Sequence, residues 1–327
     1  GDFRYGVSLK RQAINRMIVG RTPSPAGDRG TVKIQVLHTF KSYIAEAGIL
    51  MVGFAALEER FPNRTARRWI MGALFVLAVL SVAAYFDFGR YAPIPFYVNR
   101  HDFFHYYMGP KYSKEIGYLN LYPCALIVDQ ENGAWFNKPS VRNQTDYSFI
   151  PVEEVMAHEA SYKALFSESR WHAFEKDVLF LRSFMGNERW QKALRDKGYN
   201  ATPVWNMVGR VITNAIPLNS ERNVRQLLLL DLSLMVIMFI VVCITFGART
   251  MLFAMIFFGV NFMMNQTHIK GSILRLDWVT FLVIASCMIK LKHYKTAGIL
   301  AGYAALSRIF PAVFFFGMGA KLIWVFA

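Results

Sequence analysis

The chain of 327 residues is 54% hydrophobic, 15% aromatic and only 18% charged, with a mean hydropathy of +0.26. Soluble domains carry about 25% charged residues, so this composition excludes a disordered chain, disfavours a soluble enzyme and indicates a membrane protein. The net charge of +15 then indicates basic cytoplasmic flanks, which is the usual pattern in membrane proteins, rather than a surface for nucleic acid.

The N-terminal segment, residues 1–68, is basic, with 12 Lys/Arg against 5 Asp/Glu. We expect it in the cytoplasm or at the membrane interface, because cytoplasmic flanks are enriched in Lys and Arg. Within it, residues 42–57 are moderately apolar but short for a span, and they include Glu46. This stretch therefore predicts an interfacial or partly inserted helix.

The first transmembrane helix is predicted in the segment 69–90. Trp69 to Phe86 is a run of 18 residues without a charge, and Arg64, Arg67 and Arg68 precede it. Basic residues at one end of a span favour the cytoplasmic side for that end. The sequence therefore predicts a cytoplasmic N-terminus.

A large extracytoplasmic loop domain is predicted over residues 91–225, because the next strong apolar run begins near Leu227. Residues 91–224 contain 15 Lys/Arg and 14 Asp/Glu, in contrast with the basic N-terminus. The stretch from Glu153 to Arg195 mixes apolar and charged residues at helical spacing, which indicates amphipathic helices.

Residues 226–327 predict a cluster of further spans, at roughly 227–247, 250–269, 271–289 and 296–319. Alternation from a cytoplasmic N-terminus places the turn at Arg249 and the basic turn 290–295 in the cytoplasm. The predicted fold is therefore mainly α, a polytopic α-helical membrane protein with five or six spans. Because the sequence opens without Met and ends inside an apolar run, we expect a fragment of a longer protein.

Charged side chains gather at the extracytoplasmic ends of these predicted spans. The most informative is Arg308, which lies 13 residues after Lys295, or about 20 Å above the cytoplasmic flank. A charge at that depth usually faces a polar cavity or a partner. Its structural alternative is an ion pair with Asp231 or Asp277. The other polar residues predicted at this face are Asp102, His268, Lys270 and Arg275.

The loop domain opens with a segment rich in tyrosine and histidine, from His101 to Tyr122. In a helix, Asp102, His105 and Tyr106 lie on one face, where a carboxylate beside histidines could act as a general base. The alternative for the tyrosines is an aromatic belt at the membrane interface. A metal site of His101, Asp102 and His105 is a further alternative, although its ligand set is incomplete.

These motifs resemble the GT-C class of polytopic membrane glycosyltransferases, and most closely the bacterial families that use polyprenyl-phosphate sugars. The resemblance rests on Asp102-Phe103, on Tyr106-Tyr107, and on the stretch from Gly117 to Tyr122. It also rests on a late span rich in small residues that ends with Arg308 and Pro311. The match runs in order over residues 69–320, but the number of spans is smaller than usual, and 135–195 has no counterpart.

The resemblance implies sugar transfer at the outer face of a bacterial inner membrane. Asp102 would be the general base for an acceptor hydroxyl, while His101 or His105 would orient Asp102 or hold a divalent cation. Arg308 would grip the leaving phosphate, because arginine binds phosphate through two parallel hydrogen bonds. The further residues that the resemblance suggests for binding substrate or lipid phosphate are Arg275, Lys270, His268, Tyr106 and Tyr107.

Two other functions remain open at this stage. The chain could be a non-catalytic subunit of a large membrane complex on a glycosyltransferase-like scaffold, in which case Asp102 should be plugged or paired. It could also be a transporter or flippase, although the inverted repeat typical of transporters is not evident. The expected partners are membrane lipids, a polyprenyl-phosphate sugar and neighbouring membrane proteins, with no nucleic acid.

Overall fold

The computed structural model describes residues 25–89, 98–261 and 270–326. These residues are mainly helical, with one short two-stranded antiparallel sheet. The mainly α class predicted from the sequence is therefore confirmed.

The elements follow one another along the chain in three groups. The N-terminal pair is α1 (Pro25–Arg60) and α2 (Arg64–Tyr85), followed by a 3-10 turn at Asp87–Gly89. The loop domain contains α3 (Arg100–Lys111), α4 (Ser113–Ile116), α5 (Leu121–Glu131), β1 (Ser140–Arg142), β2 (Phe149–Pro151), α6 (Val152–Ala157), α7 (Glu159–Lys163), α8 (Glu168–Met185), α9 (Asn187–Ala193) and α10 (Pro203–Ala215). The C-terminal group is α11 (Glu221–Phe246), α12 (Ala248–Val260), α13 (Asp277–Lys290), α14 (Tyr294–Ser307), a 3-10 turn at Phe310–Ala312 and α15 (Val313–Phe326).

Three helices in the described part of the chain are long and apolar enough to cross a membrane: His38–Arg60 within α1, Arg64–Tyr85 and Glu221–Phe246. Three helices of this length and composition indicate an integral membrane protein. The helices α12 to α14 have 13 or 14 residues, a length of about 20 Å. That is shorter than the hydrocarbon core of about 30 Å, so the count of five or six spans stays a prediction.

The helix α1 differs from the short interfacial helix expected at 42–57. It continues to Arg60 without a break and packs along α2, so its apolar part is as long as a span. Asn63 ends the tight turn between the two helices, because its side chain accepts hydrogen bonds from the backbone N–H groups of Thr65 and Ala66.

Salt bridges mark the two ends of this helix pair. At one end Lys41 lies 2.5 Å from Asp87, just after α2. At the other end Arg249, in the first turn of α12, bonds to Glu58 and Glu59 of α1. The first part of α1 therefore lies at the same end of the helix pair as Asp87, which precedes the loop domain in the chain.

The late predicted spans are interrupted near their polar ends. The span predicted at 271–289 begins only at Asp277, after an irregular stretch, and that at 296–319 breaks after Ser307. Pro311 explains the second break, because proline lacks the N–H that a continuing helix needs. Of the span predicted at 250–269, residues 262–269 lie outside the described residues. Irregular backbone at such a depth is tolerated where it is buried or lines a cavity.

The loop domain has its own core of aromatic and aliphatic side chains, built mainly on α3, α5 and α8. At its centre the fully buried carboxylate of Asp129 accepts hydrogen bonds from Arg182, from the indole of Trp190 and from the backbone of Phe136. This core is rigid support for α3, which carries the candidate site.

Candidate functional site

The first turn of α3 presents Asp102 toward the C-terminal helices. Asn99 caps this helix by accepting a hydrogen bond from the backbone N–H of Asp102 at 3.2 Å. Tyr106 follows one turn later, so both side chains lie on one face of α3, as the sequence predicts.

Arg275 binds both of these residues. Its Nε lies 2.8 Å from Oδ2 of Asp102, and its guanidinium carbon lies 4.0 Å from the centre of the Tyr106 ring. The irregular backbone that carries Arg275 is held in turn by Asp231 of α11, which accepts the backbone N–H of Arg275 at 2.7 Å. Asp102 and Arg275 are both about five-sixths buried, with 17% of each side chain exposed.

Arg308 approaches the same tyrosine from the end of α14. Its guanidinium carbon lies 5.6 Å from the centre of the Tyr106 ring. Its Nη2 atom is buried and has no hydrogen-bond partner in the described part of the chain. Two guanidinium groups and one carboxylate therefore meet at one ring, and we name Asp102, Tyr106, Arg275 and Arg308 the arginine site.

The ion pair of Arg308 with Asp231 or Asp277, considered as its structural alternative, does not occur among the described residues. Asp231 instead accepts the backbone N–H groups of Arg275 and Leu276. Asp277 accepts the hydroxyl of Tyr303 at 2.5 Å. Both carboxylates thus hold the walls of the arginine site, rather than neutralising Arg308 by direct contact.

The segment from Asp196 to Trp205 joins the parts of the site together. Asn200 accepts the hydroxyl of Tyr106 at 3.0 Å, and the rings of Tyr199 and Trp205 meet the Tyr106 ring edge to face. The hydroxyl of Thr202 donates to the carbonyl of Ser307, next to Arg308. The sequence analysis assigned no role to this segment.

Trp205 completes the connection on the other side. Its indole N–H donates at 2.9 Å to the carbonyl of Leu274, the residue before Arg275. The segment therefore anchors the backbone beside both arginines while its rings enclose Tyr106. Because both anchors bind backbone oxygens, they set the position of the arginines without using their charges.

The two histidines predicted near Asp102 make other contacts. Nε2 of His101 lies 2.9 Å from Asp196, and this hydrogen bond, the main cause, lowers the pKa of Asp196 to about 2. His105 is buried, and Nε2 of its ring bonds to the hydroxyl of Tyr122 at 2.7 Å. The described contact of the Asp102 side chain is with Arg275, so neither histidine is seen to orient it.

Metal binding is the other role predicted for these histidines. His101, His105 and Asp196 each bring one ligand atom to within 4.8 Å of the others. Nδ1 of His105 faces the carbonyl of His101 at 2.9 Å, so it carries the proton. Nε2 then holds the only free lone pair of that ring, and Tyr122 occupies it. A metal would have to displace Tyr122, so the residues do not fit a metal as they stand.

Two of the remaining predicted site residues, Tyr107 and Lys270, lie away from the arginine site. Tyr107 points into the loop-domain core, where its hydroxyl donates to the carbonyl of Ile216. Lys270 is buried in a second charged cluster, where it donates to the carbonyl of Tyr85 and lies 3.4 Å from Asp87. His268 lies outside the described residues.

An open cavity of about 540 Å³ lies on the loop domain beside the start of α3. The residues that line it all have polar side chains. Two of them, His101 and Asp196, are close in the sequence to Asp102 and Asn200. The remaining lining residues are Lys138, Glu188, Gln191, Lys192 and Arg195.

Comparison with known proteins returned no relatives. No protein-family model matches the chain, and no curated protein or solved structure matches it.

Proposed function

We propose that the chain is a membrane glycosyltransferase that moves a sugar from a polyprenyl-phosphate donor to an acceptor hydroxyl. The observation that carries the proposal is the meeting of Arg275 and Arg308 at Tyr106, with a buried guanidinium nitrogen of Arg308 left without a hydrogen-bond partner among the described residues. A buried donor without an acceptor is costly, and an anionic phosphate would satisfy it.

The chemistry follows from these positions. Asp102 takes the proton of the acceptor hydroxyl while the oxygen forms a bond to the anomeric carbon. The bond between that carbon and the phosphate oxygen breaks, and the phosphate leaves with the electron pair. The guanidinium groups of Arg275 and Arg308 stabilise the charge that develops on the phosphate.

Arg275 has two roles in this scheme. In the structure it holds Asp102, and a bound phosphate would compete with Asp102 for the same guanidinium group. Donor binding would thus free the carboxylate to accept a proton. The base would be active only when the donor is in place.

The ion pair between Asp102 and Arg275 also favours a second candidate function, a non-catalytic subunit of a membrane complex. A paired carboxylate is what that alternative predicts, because a residue retained for structure is neutralised in place. In this case the arginine site joins the loop domain to the helix ends and carries out no reaction.

The proposed setting is a bacterial inner membrane, with the loop domain outside the cytoplasm. The basic turns at Arg249 and at 290–295 would then face the cytoplasm, in line with the excess of basic residues in cytoplasmic turns. Membrane lipids and the lipid-linked donor are the proposed partners, and no nucleic acid is involved.

The decisive experiment replaces the base. Membranes with Asp102→Asn are supplied with a panel of radiolabelled polyprenyl-phosphate hexoses, and transfer to acceptor is counted. We expect a loss of about a hundredfold or more, because general base catalysis contributes about 10²–10⁴-fold. Glu153→Gln, at an exposed carboxylate of α6 away from the cavity, is the matched control. Transfer that survives Asp102→Asn would remove the proposed base.

A second experiment tests the phosphate contact without requiring turnover. Arg308→Gln should reduce polyprenyl phosphate bound to the purified protein, measured by mass spectrometry, about tenfold or more, since a hydrogen bond to a charged group contributes about 1.5–3 kcal/mol. Arg189→Gln, at an exposed arginine of α9 in the loop domain, should bind as the unchanged protein does. Failure of every variant, and of the unchanged chain, to bind the lipid or transfer sugar would favour the non-catalytic subunit.

A further inference from the structure

Helix α10 has an apolar stripe on the face that points away from the protein. Met207 and Val211 are 69% and 71% exposed, and Pro203 continues the stripe toward the N-terminus of the helix. The opposite face, at Trp205, Gly209 and Thr213, is buried. A helix on a water-exposed surface normally has the reverse arrangement, with polar residues outward.

Both ends of α10 are tied to the C-terminal group of helices. At its start, Thr202 donates to the carbonyl of Ser307 at the end of α14, and Trp205 donates to Leu274. At its other end, only five residues separate Ala215 from Glu221, where a long apolar helix begins. Five residues reach about 20 Å at most, so the whole helix stays close to the plane where the spans end.

Apolar side chains are also exposed after the neighbouring helix α14. Helix α10 packs against α14, and the residues that follow α14, Ile309 and Phe310, are 76% and 75% exposed. Arg210 lies within α10, and Arg222 and Arg225 are exposed at the start of α11, the next helix in the chain. An apolar face with basic residues along its border is the pattern of a helix lying in a membrane interface.

We propose that the Pro203, Met207 and Val211 face of α10 is embedded among the lipid acyl chains of the leaflet on the loop-domain side. The loop domain is then held in the bilayer by its own helix, in addition to the spans on either side of it. The choice of lipid as occupant rests on the exposed apolar face of α10, on the apolar residues exposed after the helix that packs against it, and on the arginines in and after α10. It does not depend on the proposed enzymatic function.

Site-directed spin labelling tests this placement in the full chain. Met207→Cys and Val211→Cys are labelled with a nitroxide and reconstituted separately in phosphatidylcholine vesicles. Collisions with oxygen, which concentrates in the bilayer, are compared with collisions with a water-soluble nickel chelate. Glu188→Cys in the loop domain is the water-exposed control. The unsubstituted chain sets the background, because Cys124 and Cys287 are buried and Cys243 is half-buried.

We expect the ratio of oxygen to nickel accessibility at both positions to be several-fold higher than at residue 188. Nickel accessibility equal to that at residue 188 would show that water covers the face and would overturn the proposal. Low accessibility to both reagents would show that protein covers it, a partner or a second copy, and would also overturn the proposal. Two independent positions keep the test valid if one substitution impairs folding.

Discussion

His105 is a histidine kept neutral inside the loop domain. Burial, together with the nearby charge of His101, lowers its pKa to about 3, and its ring bonds to the carbonyl of His101 and to Tyr122. The folded state therefore takes up fewer protons than the unfolded state below the usual histidine pKa of about 6.5. Protonation thus favours unfolding.

We expect this histidine to make the folded protein less stable as the pH falls from 6.5 toward 3. Its contribution to the slope of the free energy of unfolding is up to about 1.4 kcal/mol per pH unit. His105→Gln, measured by chemical unfolding of the detergent-solubilised protein, should lose this part of the slope. His172→Gln should keep it, since His172 is exposed. Equal slopes in the unchanged protein and in His105→Gln would contradict the assignment.

Asp102 and Tyr106 show how far single residues can be interpreted from sequence. Helical spacing predicted that they share a face, and in the structure both contact Arg275. His105, which the same spacing places near Asp102, bonds to Tyr122. Arg275 contacts Asp102 across 173 positions of the chain, and no local pattern specifies such a contact.

Helices α2 and α12 pack closely where Gly259 meets Ser81. A Cβ atom at residue 259 would lie 2.5 Å from the backbone oxygen of Ser81, far inside normal contact distance. The hydroxyl of Ser81 also donates to the carbonyl of Ile256 on the facing helix. The close spacing of the two helices therefore requires a glycine at position 259.

Gly259→Ala should destabilise the protein by about 1–3 kcal/mol, the usual cost of overpacking a core. The measurement is the unfolding temperature of the purified protein in detergent. Gly72→Ala on α2 is the matched control, because a Cβ there meets nothing within 4 Å, and alanine favours a helix by up to about 1 kcal/mol. An unfolding temperature equal for both variants would rule out this close contact.

The whole molecule has an arrangement that charge counting did not predict. Because α1 is long enough to span and runs antiparallel to α2, its first residues lie at the loop-domain end of the bundle. The basic residues near residue 60, Arg249 and the turn 290–295 belong to the opposite end. The loop domain and the start of α1 should therefore occupy the same compartment.

Cysteine labelling in intact cells tests this arrangement. A membrane-impermeant maleimide should react alike with Ala26→Cys at the start of α1 and with Glu188→Cys in the loop domain. Lys292→Cys in the basic turn should be unlabelled if the other two positions are labelled, and labelled if they are not. The unsubstituted chain gives the background. Labelling of Ala26→Cys together with Lys292→Cys would return α1 to the interfacial helix first predicted and contradict a span.

The sequence by itself determined the helical class and the apolar runs, because composition and periodicity are local properties that a single chain displays. Only the tertiary structure decided that Asp102 pairs with Arg275, that Asp196 to Trp205 encloses Tyr106, and where the late helices break. Those features depend on which distant segments pack together. Such packing is set by the shapes and hydrogen bonds of the whole fold, and spacing along the chain does not encode it.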